Sequence, residues 1–209
     1  MSNLRLTPRV RSCALLTAIA LLPLAACGSD SPTTPNEGEG TMEMVVRDGP
    51  NAESEGPMAR TLSSEGEVSG AFQGEVRLEA EVDGAWQTVT GLGNLDAEVE
   101  LRGGESLAGS ATVEARTWDR VRVVVSDANA EVDAGSQIGI GPIEVGVTLT
   151  IAGGSQVVLE HDQPVSVQAD GTTRIVLDLN SEAWLTESAV GAEAVTAAAF
   201  EGAAAVVVQ

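Results

Sequence analysis

A possible calcium site lies in one segment where oxygen-bearing side chains occupy alternate positions: Asp127, Asn129, Glu131 and Asp133. Calcium binds carboxylate and amide oxygens, and calcium-binding loops supply them at this spacing. However, Val132 replaces the glycine that lets such a loop turn sharply, and Ile138 stands where a closing glutamate is needed. The favoured interpretation is therefore a hairpin that turns at residues 127–129, with calcium binding as the alternative.

The single histidine, His161, lies beside Asp162 and shortly before Pro164. A catalytic histidine needs a nucleophile or a metal ion nearby, and the sequence has neither a Gly-x-Ser-x-Gly elbow nor a His-Glu-x-x-His helix. One histidine also cannot form a multi-histidine zinc site. We therefore expect no enzyme activity and no resident cofactor apart from the calcium alternative. His161 is interpreted as a polar residue at the end of a strand.

Cys27 ends the box Leu24-Ala25-Ala26-Cys27, which closes a short apolar run that follows three arginines. Basic residues, an apolar run and small residues, in this order, are typical of a secretory signal. The box resembles the bacterial lipoprotein signal, in which the peptide is cut before the cysteine and the cysteine carries acyl chains such as palmitate. The resemblance predicts a signal peptide at residues 1–26 and a lipidated Cys27. The alternative is an ordinary cleaved signal.

The predicted location follows from the lipid anchor. Several acyl chains at one terminus bury enough methylene groups for stable attachment to a membrane. The residue after Cys27 is Gly28 and not an aspartate. In the Gram-negative sorting pattern that the signal resembles, this favours the outer membrane. We therefore predict an exported protein of the cell envelope, anchored in the membrane through its N-terminal lipid.

Acidic side chains dominate the composition, with 31 acidic residues against 11 basic ones and a net charge of −20. Such a surface repels nucleic acid phosphates and anionic lipid headgroups, so we expect no nucleic acid partner. Cys13 lies in the predicted signal and Cys27 is the predicted lipid site, which leaves no thiol for a disulfide bond or metal site. The fold must therefore be stabilised by its core alone.

The remaining chain divides into a tether and a domain. Residues 27–40 combine the lipidated cysteine with turn formers and acids, which predicts a disordered tether. From Thr41 onward, apolar residues recur at every second position, the period of a strand with one buried face. Further strands are predicted around residues 72–82, 86–90, 99–101, 121–125, 143–151, 157–159 and 175–179.

Turn signals separate these strands. Asp83-Gly84 supplies the positive φ angles of a two-residue hairpin, and Gly153-Gly154 is expected to reverse the chain between strands 143–151 and 157–159. Regularly spaced short strands with turns between them are typical of sandwiches and barrels. We therefore predict an all-β fold, a single antiparallel β-sandwich at residues 41–209.

The C-terminal part and the aromatic residues are less regular. The alanine-rich residues 192–199 could form a helix, whereas residues 206–208 favour a closing strand, and the strand is preferred for this part. The few aromatic rings could all be absorbed by the core or its edges. Among the tryptophans, Trp184 lies between Glu182 and Glu187 and is expected to be the most exposed.

Four segments occur in an order shared with known proteins: residues 40–50, 85–89, 107–127 and 168–179. This order resembles an uncharacterised bacterial lipoprotein family that carries a domain of unknown function. Its members begin with Gly-Thr-Leu, turn at Thr-Asp-Ala-Pro and have a late Gly-Thr-Thr strand. The present chain differs by Trp118 in place of a usual tyrosine and by residues 143–159, which look like an added hairpin. The resemblance implies a β-sandwich of prealbumin or immunoglobulin type and no known activity.

Two classes of function remain. The favoured one is a non-enzymatic, lipid-anchored envelope lipoprotein whose domain binds a partner protein or supports an assembly. This function predicts an exposed apolar patch or an unpaired sheet edge, because strand addition at an edge is a common way to recruit a partner. The alternative is a calcium- or carbohydrate-binding module displayed on the membrane, which requires clustered carboxylates or exposed tryptophans.

Overall fold

A computed structural model of the chain describes residues 38–49, 68–139 and 141–209. The predicted signal peptide, Cys27 and most of the predicted tether lie outside these residues. The described part is mostly β-structure, as predicted.

The first strands are β1 (Glu39–Arg47), β2 (Gly70–Val82), β3 (Ala85–Thr88), β4 (Leu95–Glu100), β5 (Glu105–Glu114), β6 (Thr117–Trp118) and β7 (Val121–Val132). They are followed by β8 (Gln137–Ile138), β9 (Gly141–Pro142), β10 (Val147–Ile151), β11 (Val157–His161), β12 (Val165–Ser166) and β13 (Thr172–Asp178). The C-terminal elements are α1 (Ser181–Trp184), α2 (Glu187–Ala192), β14 (Ala194–Val195), α3 (Ala197–Ala203) and β15 (Ala205–Val208).

Two main sheets contain most of these strands. A four-stranded sheet, here called sheet A, has the order β15-β13-β1-β5. A seven-stranded sheet, sheet B, has the order β14-β10-β7-β2-β3, with β11 also paired to β7 and β4 also paired to β2. Two small two-stranded sheets, β12-β6 and β8-β9, complete the described part.

One hydrophobic core joins residues of both sheets, an arrangement compatible with a β-sandwich. The alternating faces predicted from the sequence point into it: Met42, Met44 and Val46 on β1 are fully buried, as are Val121, Val123 and Val125 on β7. Burial of apolar area contributes roughly 25 cal/mol per Å² to stability, so these faces fix which side of each strand turns inward.

The sheets are not purely antiparallel, which corrects the predicted antiparallel sandwich. β1 runs parallel to β13, with Val45 opposite Val176, and β10 runs parallel to β14. Parallel neighbours need a long crossover, and here every strand of sheet B except β14 lies between β1 and β13 in the chain. The β1–β13 pair is buried on both faces, as parallel strands usually are: Met44 and Ile175 are fully buried on one face, Val45 and Val176 on the other.

The β2–β3 hairpin forms where it was predicted. Asp83 and Gly84 have φ angles of 52° and 76°, so both central residues are left-handed, as a type I′ turn requires. β1, by contrast, begins at Glu39, two residues before the predicted domain boundary at Thr41. Gly40 permits this early start, because a β-carbon there would lie 2.3 Å from the carbonyl oxygen of Gln168.

The hairpin predicted at Gly153-Gly154 is wrong. β10 pairs with Asn129 to Val132 of β7, and β11 pairs with the preceding residues Val121 to Val125 of the same strand. The two strands therefore follow one line along β7, and a short 3-10 helix, Ala152–Gly154, interrupts them. Pairing with β7 continues in the same direction before and after this helix. The glycines therefore allow a short outward bulge of the chain and not a reversal.

The preference for a strand in the C-terminal part is half correct. β15 closes sheet A against β13, as expected from its valines, but α3 occupies the residues before it. Thr196 caps this helix by accepting a hydrogen bond from the backbone N–H of Ala199 at 3.2 Å. Within the described residues, no helix combines the length and apolar character needed to cross a membrane.

Candidate functional site

The clearest unfilled interaction site is the outer edge of β5, the last strand of sheet A. This ten-residue strand pairs with β1 on one side, from Glu105 opposite Arg47 to Glu114 opposite Glu39. On its other side, none of the described residues forms a strand pair with it. An edge of this kind presents a row of unpaired backbone groups.

One backbone hydrogen bond shows which groups of β5 face outward. The N–H of Ala115 donates to the carbonyl of Gly38 at 2.9 Å, so the backbone groups of Ala115 point toward β1. In an antiparallel pair, alternate residues direct both their N–H and C=O toward the partner. Ser110 and Thr112 therefore direct these groups away from β1, and both residues are exposed.

The composition of β5 leaves this edge unprotected. Residues 106–113 contain no charged side chain and no proline, although charges and prolines are the usual protection of edge strands. Leu107 is 56% exposed on this strand. It lies opposite the buried Val45, next to an irregularity in the β1–β5 register between Met44 and Val45.

The edge is positioned by close packing beneath it. A β-carbon at Gly109 would lie 2.7 Å from Cδ1 of Leu95, so the glycine allows β4 to pack closely against β5. At the start of β5, the carbonyl of Gly104 accepts a hydrogen bond from the backbone N–H of Asp48 at 2.9 Å. β5 is therefore held on one face and at its start, while its edge stays open.

Several other sheet edges in the described part are short, charged or partly covered. β4 carries the exposed acids Asp96, Glu98 and Glu100, and β14 has only two residues. β15 is approached by the ring of His161, whose Nδ1 lies 3.1 Å from the carbonyl oxygen of Val206. This contact agrees with the prediction that His161 is a polar residue at a strand end, since β11 ends there.

An acidic crevice adjoins the N-terminal end of β5, where Glu105 and Ser106 belong to its lining. It consists of two shallow concavities that share Glu98 and Ser106. Its acidic lining residues are Glu75, Asp96, Glu98, Glu100, Glu105 and Asp127. Among the described residues, no basic residue lines either concavity. Of the six acids, only Glu105 forms an ion pair with a described residue, with Arg174 Nη2 2.8 Å from its Oε1. The crevice therefore combines high negative charge with an unpaired strand edge.

The predicted calcium ligands do not form a loop. β7 continues through Asp127, Asn129 and Glu131, so the favoured interpretation, a hairpin that turns at residues 127–129, is wrong. Asp127 instead occupies a β-bulge: its φ angle is 50°, and the register with β2 shifts between Gln73 and Glu75. In the part of the chain that the structure describes, no group of three or more His, Cys, Asp or Glu side chains could hold a metal ion.

The tryptophans lie in the core or at its edge, and the expected exposure of Trp184 is wrong. Trp184 is 2% exposed, its ring centroid lies 6.0 Å from that of Phe200, and its Nε1–H donates to the carbonyl of Leu179 at 2.9 Å. The short helix α1 turns this ring inward although its sequence neighbours are acidic. Trp118 is also buried, and Trp86 is half-buried.

Trp86 belongs to a network of charged side chains across sheet B. The guanidinium carbons of Arg122 and Arg120 lie 4.4 and 5.3 Å from the centroid of the Trp86 ring. Arg122 also donates from Nε to Glu79 at 2.7 Å, and Arg120 donates from Nε to Glu81 at 2.8 Å. Cation–π and ionic contacts thus occupy this surface, which leaves Trp86 covered by arginines rather than free to stack on a sugar.

Glu79 is the most buried carboxylate of this network, and its pKa lies below the ordinary value. Burial by itself raises the pKa of this carboxyl group, but hydrogen bonds from Arg122 and Arg77 and their positive charges outweigh burial. The network is internally satisfied, with a basic partner for each of Glu79 and Glu81. We therefore interpret it as structural.

The sequence did not identify β5 as a functional edge. Residues 107–113 belong to the segment 107–127, which the sequence linked only to the family resemblance. The absence of charge and proline over residues 106–113 is a usable signal, but it identifies an edge only once the strand order is known.

Comparisons of the chain with protein-family models, with curated proteins and with solved structures found no match. The resemblance to a lipoprotein family therefore stays a prediction from the sequence, and the function must be argued from the site itself.

Proposed function

We propose that this protein is an exported, lipid-anchored lipoprotein of the cell envelope that binds another envelope protein by strand addition at β5 and catalyses no reaction. The observation that carries the proposal is the long, uncharged outer edge of β5, where Ser110 and Thr112 direct backbone groups away from β1. An added strand gains main-chain hydrogen bonds along such an edge, and its alternate side chains contact the surface on either side.

Exposed Leu107 supports strand addition as the mode of binding. This side chain is more than half exposed beside the buried Val45, so an added strand gains apolar contact as well as hydrogen bonds. Burying a leucine fully is worth about 1.5–3 kcal/mol, and each net backbone hydrogen bond about 0.5–1.5 kcal/mol. These gains must exceed the entropy lost by ordering the incoming segment.

The anchor and the location rest on the sequence. Leu24-Ala25-Ala26-Cys27 follows an apolar run with arginines before it, and Gly28 favours the outer membrane. In the same way, the resemblance to the uncharacterised lipoprotein family supports a sandwich of prealbumin or immunoglobulin type. The core shared by sheets A and B is compatible with that architecture.

The anchor is tested by growing cells with labelled palmitate and isolating the full-length protein. We expect label in the wild type and in Cys13→Ser, and none in Cys27→Ser. Cys13→Ser is the matched control, because it removes the other cysteine and leaves the predicted lipid site intact. Equal labelling of the Cys27→Ser variant would refute the lipid anchor.

Partner binding is tested by placing a photoreactive amino acid at Ser110 in the full-length protein in living cells. We expect one discrete crosslinked envelope protein from this position, and none from the exposed Glu201 on α3. Crosslinks that are equally strong from both positions, or absent from Ser110, would contradict strand addition at this edge.

A further inference from the structure

We infer that the segment bound at β5 is an extended, basic stretch of a partner protein, rich in lysine or arginine and free of proline. The inference rests on the proposed function and adds the chemistry of the partner. It follows from two features that lie side by side: the free edge of β5 and the acidic crevice at its N-terminal end.

The crevice selects for positive charge because most of its acids form no ion pair with a described residue. Asp96, Glu98 and Glu100 occupy alternate, exposed positions of β4, and none of them forms an ion pair with a described residue. Glu98 lines the crevice together with Ser106 of β5. A strand added along β5 therefore passes these carboxylates, and like charges on it would be repelled.

The arginine that pairs with Glu105 does not neutralise the crevice. Arg174 extends from β13 to Glu105 at 2.8 Å and lies 3.4 Å from Glu43, so it is already shared by two acids. Glu105 is the only crevice residue that it reaches among the ion pairs of the described residues. The unpaired negative charge is thus concentrated on β4, beside the start of the β5 edge.

A second copy of this chain fits the edge poorly. Two β5 strands that paired antiparallel about Ser110 would bring Glu105 of one copy close to Glu114 of the other. Both strands carry these acids at their ends, and each molecule is strongly acidic overall. Like charges across an interface disfavour association, so charge complementarity favours a basic partner over self-association.

The test uses a random peptide library displayed on phage and selected on the purified full-length protein, with the Ser110→Pro variant for counter-selection. Proline removes only the outward N–H of position 110 and leaves the hydrogen bonds between β1 and β5 in place. We expect peptides enriched on the wild type over Ser110→Pro to be rich in lysine and arginine. Thr112→Pro removes the next outward N–H and replaces Ser110→Pro if that variant does not fold.

A selected basic peptide is then titrated against a variant with Asp96→Asn, Glu98→Gln and Glu100→Gln together. We expect its affinity to fall about tenfold and to lose most of its dependence on salt. The matched control carries Glu182→Gln, Glu193→Gln and Glu201→Gln, at three exposed positions distant in sequence from β4 and β5. We expect it to bind the peptide as the wild type does.

The other outcomes are distinguishable. Neutral or acidic peptides that prefer the wild type over Ser110→Pro would overturn the basic partner and leave strand addition standing. If no selected peptide prefers the wild type, both the basic partner and strand addition at β5 are overturned. A dimer seen by sedimentation for the wild type, and a monomer for Ser110→Pro, would overturn the basic partner in favour of a second copy.

Discussion

Asp48 and Ser181 are 133 positions apart, yet they share two hydrogen bonds away from solvent. The backbone N–H of Ser181 donates to Oδ1 of Asp48 at 2.7 Å, and its hydroxyl donates to Oδ2 at 2.5 Å. Oδ2 also accepts from the backbone N–H of Arg102 at 2.6 Å. Because each of Asp48 and Ser181 is 1% exposed, this carboxylate links the end of β1 to α1 and to the turn before β5.

Removal of the Asp48 carboxylate is expected to destabilise the fold strongly. Asp48→Ala leaves its donors from Arg102 and Ser181 without an acceptor, and an unsatisfied buried donor costs about 1–3 kcal/mol. We expect the free energy of unfolding, measured with urea, to fall by roughly 3 kcal/mol or more.

Two variants separate this effect from simple loss of an acid. Ser181→Ala removes one donor and leaves the carboxylate with two, so we expect a loss of about 1 kcal/mol. Asp133→Ala removes an exposed acid and is expected to change stability by less than about 0.5 kcal/mol. Losses of the same size in Asp48→Ala and Asp133→Ala would show that the buried hydrogen bonds do not matter.

The stabilising effect of Glu79 should depend on pH. Its pKa is lower in the folded chain than in the unfolded one, where about 4.3 is usual, so ionised Glu79 stabilises the fold above that pH. The contribution is lost as pH falls through the lower, folded-state pKa. We expect Glu79→Gln to lower the free energy of unfolding by about 1–2 kcal/mol at pH 7. The difference from the wild type should shrink as pH falls below about 4.

The control for this titration is Glu114→Gln. Glu114 is exposed, and its Oε2 lies 3.9 Å from Nη1 of Arg116, a distance at which a surface pair contributes little. We expect this variant to match the wild type across the pH range. If Glu79→Gln were equally destabilising at pH 3 and pH 7, the effect would come from packing and not from the charge of Glu79.

Features set by neighbouring residues were predictable from the sequence. The β2–β3 turn follows from Asp83-Gly84, because few residue pairs adopt two left-handed conformations in succession. The inward faces of β1 and β7 follow from alternation, since each strand must bury its apolar side. Neither feature requires the strand order for its prediction.

Features that depend on distant segments were not predictable. The parallel pairing of β1 with β13, and the alignment of β10 and β11 along β7, result from the order of strands. Alternation does not encode that order, because any strand with a buried face fits many neighbours. The candidate site is of this kind, since β5 is an edge only because β1 pairs with β5 on one side and with β13 on the other.

Relief of backbone strain at Asp127 should stabilise the protein. Its φ angle of 50° lies in the left-handed region, which glycine adopts at less cost than other residues. We expect Asp127→Gly to raise the free energy of unfolding by up to about 1 kcal/mol. Asp133→Gly, at an exposed position without positive φ, is the control and should not be stabilising.

The same variant addresses the calcium alternative. A cation that binds only the folded protein must raise its melting temperature. With calcium added at constant ionic strength, we expect no shift in the wild type, because the segment lies along β7 and forms no loop. A shift that disappears in Asp127→Gly would establish a calcium site at the bulge and contradict this expectation.

The C-terminal helices should be part of the same folding unit as the sheets, because Phe200 of α3 joins them. Its ring stacks on that of Phe72 of β2 with centroids 6.2 Å apart, and the Trp184 ring lies 6.0 Å away on α1.

Phe200→Ala is expected to lower the free energy of unfolding by about 3–5 kcal/mol, whereas Phe200→Leu should lose less than about 2 kcal/mol because it keeps most of the volume. Circular dichroism during urea unfolding measures both. A Phe200→Ala variant that unfolds like the wild type would mean that α3 contributes little to the core, although Phe200 is fully buried there.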